Sequence, residues 1–535
     1  MYVGVFSLLF ACCVRLTSVE SMTAEEGWKH AEKVLRERIS PPTFPTDADR
    51  SIADFGAVGD GKTDCTNAFR DAIALCSSSG GGRVVVPPGG VYMTGPIVLQ
   101  SNVNLHISES ATIRFKQDPK AYLPLVRTRW EGVELMNYSP LIYAYKEENI
   151  AITGGGTLDG NANTTAWWPW KFGPQDAGRD RLFQMAEDNV PVEERLFGED
   201  YFLRPNFIEP FKCQNVLIEG IKIVNSPMWV IHPTFCNNVI VRSVNVDSHG
   251  PNNDGCDPDS CKDVLIEDSI FNTGDDCVAV KSGRGDDGRR VNIPSVNVIM
   301  RNCTMKDGHG GLVAGSEIAA GVRNLYAEDC DWNSPHLRYG LRIKSNPLFG
   351  GQAENVFVRN VQMKQVERAA IRVNFHYEWV DEGPHMPSAS NIFVENVTSE
   401  RSQYALQLEG LSDAWAKDIS ITNSEFHNVQ RQNIIEFIDG LELQDVDIQY
   451  VPHRPSDLVV LFGVVILLCG PAYIVEKYLH RPILVKTPLG VVDLSKPITF
   501  VQNLFGTKGL MGTPIQSNEV EMSSKEGGEE ERLVP

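Results

Sequence analysis

Asn238-Val239-Ile240-Val241 and Asp263-Val264-Leu265-Ile266 are two copies of one short pattern: Asn or Asp, an aliphatic residue, any residue, then a second aliphatic. Towards the N-terminus it appears as Asn215-Val216-Leu217-Ile218 and Asn149-Ile150-Ala151-Ile152. Towards the C-terminus it continues as Asn297-Val298-Ile299-Met300, Asn324-Leu325-Tyr326-Ala327 and Asn355-Val356-Phe357-Val358, then at Asn391, Asp418 and Asp445. After the first copy the spacings run from 23 to 36 residues. Alternation of apolar residues at period two means short, half-buried strands. Asn and Asp suit a tight bend, because they tolerate left-handed geometry and bond their own backbone. A repeat of about 20–50 residues marks a solenoid. Strand-only units with no helical pattern between them predict a right-handed parallel β-helix, one coil per repeat. A β-sandwich would instead place strands about 8–12 residues apart.

A solenoid needs caps. Thr66 to Cys76 reads as a capping helix with Ala68, Phe69, Ala72, Ile73 and Cys76 on one face, and with Asp64 or Thr66 as its N-cap. Glu25 to Ile39 reads as a second helix, packed outside the barrel. The expected organisation is a signal peptide over 1–20, a helical segment over 21–50 and the β-helix over 51–451. A single transmembrane helix over 458–475 and a cytoplasmic tail over 476–535 would follow. The signal reading rests on the apolar run Val3 to Val14, followed by Thr17, Ser18 and Glu20. The membrane reading rests on the apolar run Leu458 to Val475, at the lower length limit for a bilayer, with Lys477, Arg481 and Lys486 after it. A buried strand or helix is the alternative for that run. These readings place the β-helix outside the cell or on its surface, as a monomer anchored by one helix.

The chain has 535 residues, 42% apolar and 22% charged, with a net charge of −20. The last 60 residues, from Glu476, contribute seven Lys/Arg and eight Asp/Glu, so nearly all of the negative charge lies before them. Such a surface repels nucleic acid and anionic lipid. It would repel an acidic polymer too, unless cations are gathered locally. Leaving aside Cys12, Cys13 and Cys469, nine cysteines remain; Cys256–Cys261 or Cys65–Cys76 would be disulfides in an oxidising compartment, and buried thiols are the alternative. Sequons stand at Asn137, Asn163, Asn302 and Asn396.

Four polar groups are left over once the repeat is accounted for: Asn252-Asn253-Asp254, Asp275-Asp276, Gly308-His309-Gly310 and Arg342-Ile343-Lys344. Taken singly, each is a turn, a solvated loop or an exposed strand edge. Their offsets from the repeat Asn or Asp place them at similar positions in four successive coils. With neighbouring strands about 4.7–4.9 Å apart, three carboxylates, an imidazole and two cations would share one cleft. Glycoside hydrolysis needs such a set: a carboxylic acid for the leaving oxygen and a carboxylate to attack or to activate water. Neighbouring carboxylates raise one another's pKa and keep one protonated. Arg342 and Lys344 would bind a substrate carboxylate, with Lys281, Arg284, Arg289 and Arg290 adding positive charge.

With these motifs in order, the chain resembles glycoside hydrolase family 28, the polygalacturonases, from about Ala53 to Val451. The opening stretch Asp54 to Asp64 is similar to the start of pectin-acting β-helices. Asn253 stands where the family's Asn-Thr-Asp motif has Thr. The resemblance implies inverting hydrolysis of α-1,4 bonds between galacturonic acid residues of pectin, without cofactor or metal. Asp275 would be the general acid, Asp254 and Asp276 would activate water, and His309 would support the acid. Arg342, Lys344, Lys281 and Asn252 would bind substrate. Inversion leads to an expected carboxylate separation of about 6.5–9.5 Å. Trp167, Trp168 and Trp170 would stack on sugars or pack an insertion. Leu203-Arg204-Pro205 and Asn225 to Trp229 resemble the exo-acting branch, which implies release from a chain end. The alternatives are a calcium-dependent pectate lyase on the same scaffold and a catalytically inactive surface β-helix that binds carbohydrate.

Overall fold

The computed structural model describes residues 22–451, 484–487 and 490–493. The chain divides into two compact units, Met1–Tyr450 and Val451–Pro535. In the first unit the repeated Asn or Asp sits at the same bend of every coil, with φ between 52° and 60° from Asn149 to Asp445. That left-handed geometry is strained for most side chains, but Asn and Asp adopt it readily. The side chains then form a ladder from coil to coil. Asn215 donates to Asn149, Asn238 to Asn215, Asn324 to Asn297, Asn355 to Asn324 and Asn391 to Asn355, all within 2.8–3.0 Å. Asn297 joins the Asp263 coil at 2.6 Å. Asn302–Asp268, Asn360–Asp329 and Asn396–Asn360 make further rungs at a neighbouring corner. Two of the four sequons, Asn302 and Asn396, therefore serve as rungs, and Asn137 is buried.

From each bend the chain runs into strands that pair in parallel with the coils on either side. Val239, Ile240 and Val241 stand opposite Val216, Leu217 and Ile218 on one side and Val264, Leu265 and Ile266 on the other. The strands gather into a 22-stranded sheet and two sheets of three and six strands. This is a parallel β-helix. Alternate side chains fill its interior, among them Val239, Val241, Val264 and Ile266. Ile240 and Leu265 face outward. Helix α1 (Ala24–Glu37), begun by a Thr23–Glu26 capping box, lays Trp28, Ala31 and Val34 on that outer row. Helix α2 (Thr66–Ser78) buries Ala68, Phe69, Ala72, Ile73 and Cys76 against the first coils. Its first backbone N–H donates to Asp64 Oδ1 at 3.0 Å.

The expected disulfides are not formed: Cys65, Cys76, Cys213, Cys236, Cys256, Cys261, Cys277, Cys303 and Cys330 are all free and buried. They are core residues of the stack, and the Sγ atoms of Cys236 and Cys261 each accept from the backbone of the preceding coil at 3.4 Å. The expected membrane helix is also corrected. Among the described residues no helix is long and apolar enough to cross a membrane. The run 458–475 lies outside those residues, as does the signal stretch 1–20. That run stands at the bare minimum length for a bilayer. The described part of the second unit is an antiparallel pair, Leu484–Thr487 with Gly490–Asp493.

Two additions to the coils frame the site. One is the antiparallel hairpin of Val126–Trp130 and Val133–Asn137. The other is the insertion that carries α3 (Asp176–Glu187). They share a small core of Trp130, Val133, Leu182, Phe197, Met228 and Trp229.

Candidate active site

Residues 254, 275, 309 and 342 come together because the third strand of each coil pairs in parallel with the next. Cys256 bridges Val278, Leu312 pairs with Val278, and Leu341 pairs with Leu312. The turns that lead into these strands stack accordingly. Asp254, Asp275 and Asp276 each bring a carboxylate oxygen within 4.8 Å of the other two. The separation expected for inversion is measured between whole carboxyl groups, so this nearest-oxygen distance does not decide stereochemistry. Gly310 is needed for the approach: a Cβ there would lie 2.4 Å from Val313 Cγ2 and 3.1 Å from Asp276 Oδ1. At Gly308 a Cβ would lie 2.8 Å from the Asp275 carbonyl.

The three carboxyls differ in environment. Asp276 is fully buried and Asp254 is 3% exposed. The Asp275 side chain is 18% exposed and the His309 ring 28%, and His309 Nδ1 lies 2.9 Å from Asp275 Oδ1. Asp276 Oδ2 accepts from Lys344 Nζ at 2.8 Å. Burial, reinforced by the charges of Asp257 and Asp275, raises the Asp254 carboxyl well above the ordinary range. Burial also works to raise Asp275, but the His309 imidazole beside it, with Lys344 and Lys281, holds it below its ordinary value. Burial and neighbouring charge thus push Asp254 and Asp275 in opposite directions. Three close carboxylates could hold a cation; here Lys344 and Lys281 supply the compensating charge.

Arg342 and Lys344 sit on the coil beyond His309. Arg342 lies over the rings of Tyr339 (4.6 Å) and Tyr377 (5.7 Å), and Lys344 over Tyr377 (5.2 Å). Lys281 departs from its expected place at the substrate. It is 2% exposed, with Nζ 3.2 Å from Glu317 Oε2, 3.6 Å from Asp254 Oδ2 and 4.4 Å from the Trp229 ring. It is a counter-ion behind Asp254, because the strand of Val278–Val280 ends there and turns the side chain inward. Asn252 is also engaged: its Oδ1 accepts from Arg204 at 2.7 Å. Arg284 is clamped between Phe183 and Phe349, at 4.2 and 4.1 Å, while Arg289 and Arg290 pair with Asp286 and Asp287. Asn253 is buried and shapes the turn, accepting from Ser248 Oγ at 2.6 Å and from the Gly250 N–H at 3.0 Å.

Three residues escaped the reading of the sequence. Glu317, paired with Lys281 and Arg284, is brought down to about 2: burial opposes the charge and those cations outweigh it. Asp257, fully buried with no hydrogen-bond partner on either oxygen, is pushed up to about 8 by burial. Tyr377 joins the two cations. None carries a motif; the one available signal was Glu317 following an aliphatic strand, as Lys281 does one coil earlier.

Residues 199–439 match the model of glycosyl hydrolases family 28, and residues 49–106 match that of rhamnogalacturonase A/epimerase, pectate lyase-like. An exopolygalacturonase of Thermotoga maritima superposes with a TM-score of 0.76 at 44% identity, over 79% of this chain and 96% of that one. The chain belongs to glycosyl hydrolases family 28. Two further relatives agree. A probable polygalacturonase of Vitis vinifera is 29% identical, over 70% of this chain and 74% of its own length. An exo-poly-alpha-D-galacturonosidase of Dickeya chrysanthemi is 27% identical, over 73% and 69%. As a family 28 member the chain is a glycoside hydrolase, and the four polar motifs lie inside the matched span.

The insertion of this family 28 chain lies across the coil that precedes Asp254. Trp168 Nε1 donates to the Ser226 carbonyl at 2.8 Å, and Arg204 donates to the Pro227 and Pro251 carbonyls. Trp167 is buried against Tyr122 and Trp170. The tryptophans thus pack the insertion, which is the second of their two expected roles.

Proposed function

We propose that this enzyme releases product from one end of polygalacturonate by single displacement, with Asp275 as acid and Asp254 with Asp276 activating water. Polygalacturonase activity itself follows from the family and from relatives named for it. The reading of the mechanism rests on one observation: of three carboxyls gathered from two adjacent coils, Asp275 alone reaches the cleft, while Asp254 and Asp276 are buried behind it.

Asp275 is the carboxyl with access to the cleft, so it meets the glycosidic oxygen. Asp254 and Asp276 lie too deep to attack a sugar carbon, which leaves water as the nucleophile and inversion as the outcome. A galacturonate carboxylate docked on Arg342 and Lys344 cancels part of the field that holds Asp275 ionised. Its proton affinity then rises, so a proton passes from Asp254 to Asp275 for delivery to the glycosidic oxygen, and the ionised Asp254, with Asp276, accepts the proton released by the attacking water. His309, hydrogen-bonded to Asp275, fixes its orientation. Binding and acid activation are thereby the same event.

The insertion across the preceding coil supports an exo mode, because it stands in the path a continuous polymer would need beyond Asp254. The catalytic unit would act outside the cell, where the polymer is. Viscometry tests the mode. Reducing ends should accumulate well before the viscosity of polygalacturonate falls, and an early collapse of viscosity would refute chain-end release.

A further inference from the structure

Beyond the Arg342–Lys344 strand the coils continue, and their corners carry a polar groove that holds two arginines. A groove with a cavity volume of about 430 Å³ is lined by Arg368, Arg401, Gln365, Gln403, Gln430 and Glu367, with Pro335 and Val366. Strand register orders these residues. Tyr339 pairs with Ala369 and Ala369 with Tyr404, so Arg368 stands one coil beyond Arg338, and Gln403 one coil beyond Arg368. Gln430 follows on the next coil, given the pairing of Gln407 with Ile434.

The groove adjoins the coil that carries Arg342. Arg368 Nη1 lies 3.5 Å from Tyr339 Oη. The same ring carries Arg342 at 4.6 Å and Arg372 at 5.1 Å. Arg372 is paired with Glu409 at 3.4 Å, so Arg368 is the arginine that extends from the Arg342 coil to the groove, one coil on at a rise of about 4.7–4.9 Å. On a chain of net charge −20, a lining with two arginines against one glutamate favours an anion there. Arg401 is exposed, and Glu367 is the single carboxylate in the lining.

We propose that this groove is a distal subsite that binds carboxylates of the same polygalacturonate chain, one to three coils beyond the Arg342–Lys344 strand. The inference rests on the reading above, in which the carboxylate cluster is where the polymer is cut. With the insertion on the other side of Asp254, the uncut remainder has the later coils to lie along. Glutamines beside the arginines supply neutral donors for hydroxyls, and arginine offers a planar fork to each carboxylate. A partly exposed charge pair contributes modestly, so the groove acts through the length of the substrate.

The test compares substrates of different length on the full chain. Replacing Arg368→Gln and Arg401→Gln together should raise KM for polygalacturonate by about three- to tenfold, with a change under about twofold for trigalacturonate. An equal change on both lengths, or no change on either, would overturn the subsite. Binding is measured separately by calorimetry in an Asp275→Asn background, where hydrolysis does not interfere. Octagalacturonate should lose affinity on the double substitution and trigalacturonate should not. If the unsubstituted chain hydrolyses nothing, the functional reading has failed; equal octagalacturonate affinity with and without the arginines shows that the subsite has failed.

Discussion

Lys281 shows how a single position is decided by depth. In the sequence it ends an aliphatic strand beside an Asp-Asp pair and reads as a cation for substrate. In the fold it is buried between Asp254 and Glu317. Removing one partner of a buried ionic group leaves the rest uncompensated, which costs about 3–5 kcal/mol. Lys281→Met should therefore lower unfolding free energy by about that amount, read from urea denaturation. A variant as stable as the parent, with only KM raised, would restore the substrate-binding role. Asp254, Asp275, Asp276, His309, Arg342 and Lys344 could be picked out because each departs from what a coil needs. Glu317 could not, since its partners Lys281 and Arg284 come from the preceding coil, and neither could Asp257, which is set apart only by its complete burial.

At the scale of elements, the Asn and Asp bends do two jobs at once. They take left-handed φ and link coils through their amides. The first property made the repeat readable in the sequence. The second emerges only when coils stack, as does the use of Asn302 and Asn396 as rungs. Asn324→Ala loses bonds to Asn297 and Asn355 and strains the bend, so it should destabilise the protein by about 1–3 kcal/mol. Thermal unfolding checks this, and an unchanged midpoint would argue against the ladder. The hairpin that supports the insertion is tied to the coils by another buried group. Arg129 pairs with Asp259 at 2.8 Å, and His232 lies between Asp259 and Glu209. Burial opposes charge on His232, yet Asp259 and Glu209 outweigh it and raise the ring to about 9. Because the folded value is above the unfolded one, this stabilisation is complete below about pH 6.5. It is lost as pH rises through about 9. Unfolding midpoints between pH 6 and 10 should fall for the parent and change less for His232→Gln; parallel curves would exclude His232 as the cause.

For the catalytic unit as a whole, the solenoid turns sequence distance into registry. Residues spread from 254 to 344 share one face because each third strand repeats the last. That much was legible: the period gave the coils, and the motif offsets gave the common cleft. The sequence left two readings open for the cysteines and two for the tryptophans, and the structure takes the packing one in both cases. In both cases composition suggested chemistry, and packing assigned the residues to the core of the stack and of the insertion. The arginine groove was invisible for a related reason: one arginine per coil looks like any exposed strand edge until the coils are aligned.

The proposed mechanism turns on Asp275 as the acid. The most direct measurement is the rate and product of polygalacturonate cleavage by the parent and by Asp275→Asn, with and without a chelator. The parent should yield saturated galacturonate at a rate indifferent to chelator, and Asp275→Asn should lose about 10²–10⁴-fold in kcat. Unsaturated, calcium-dependent products, or full turnover by the variant, would contradict it.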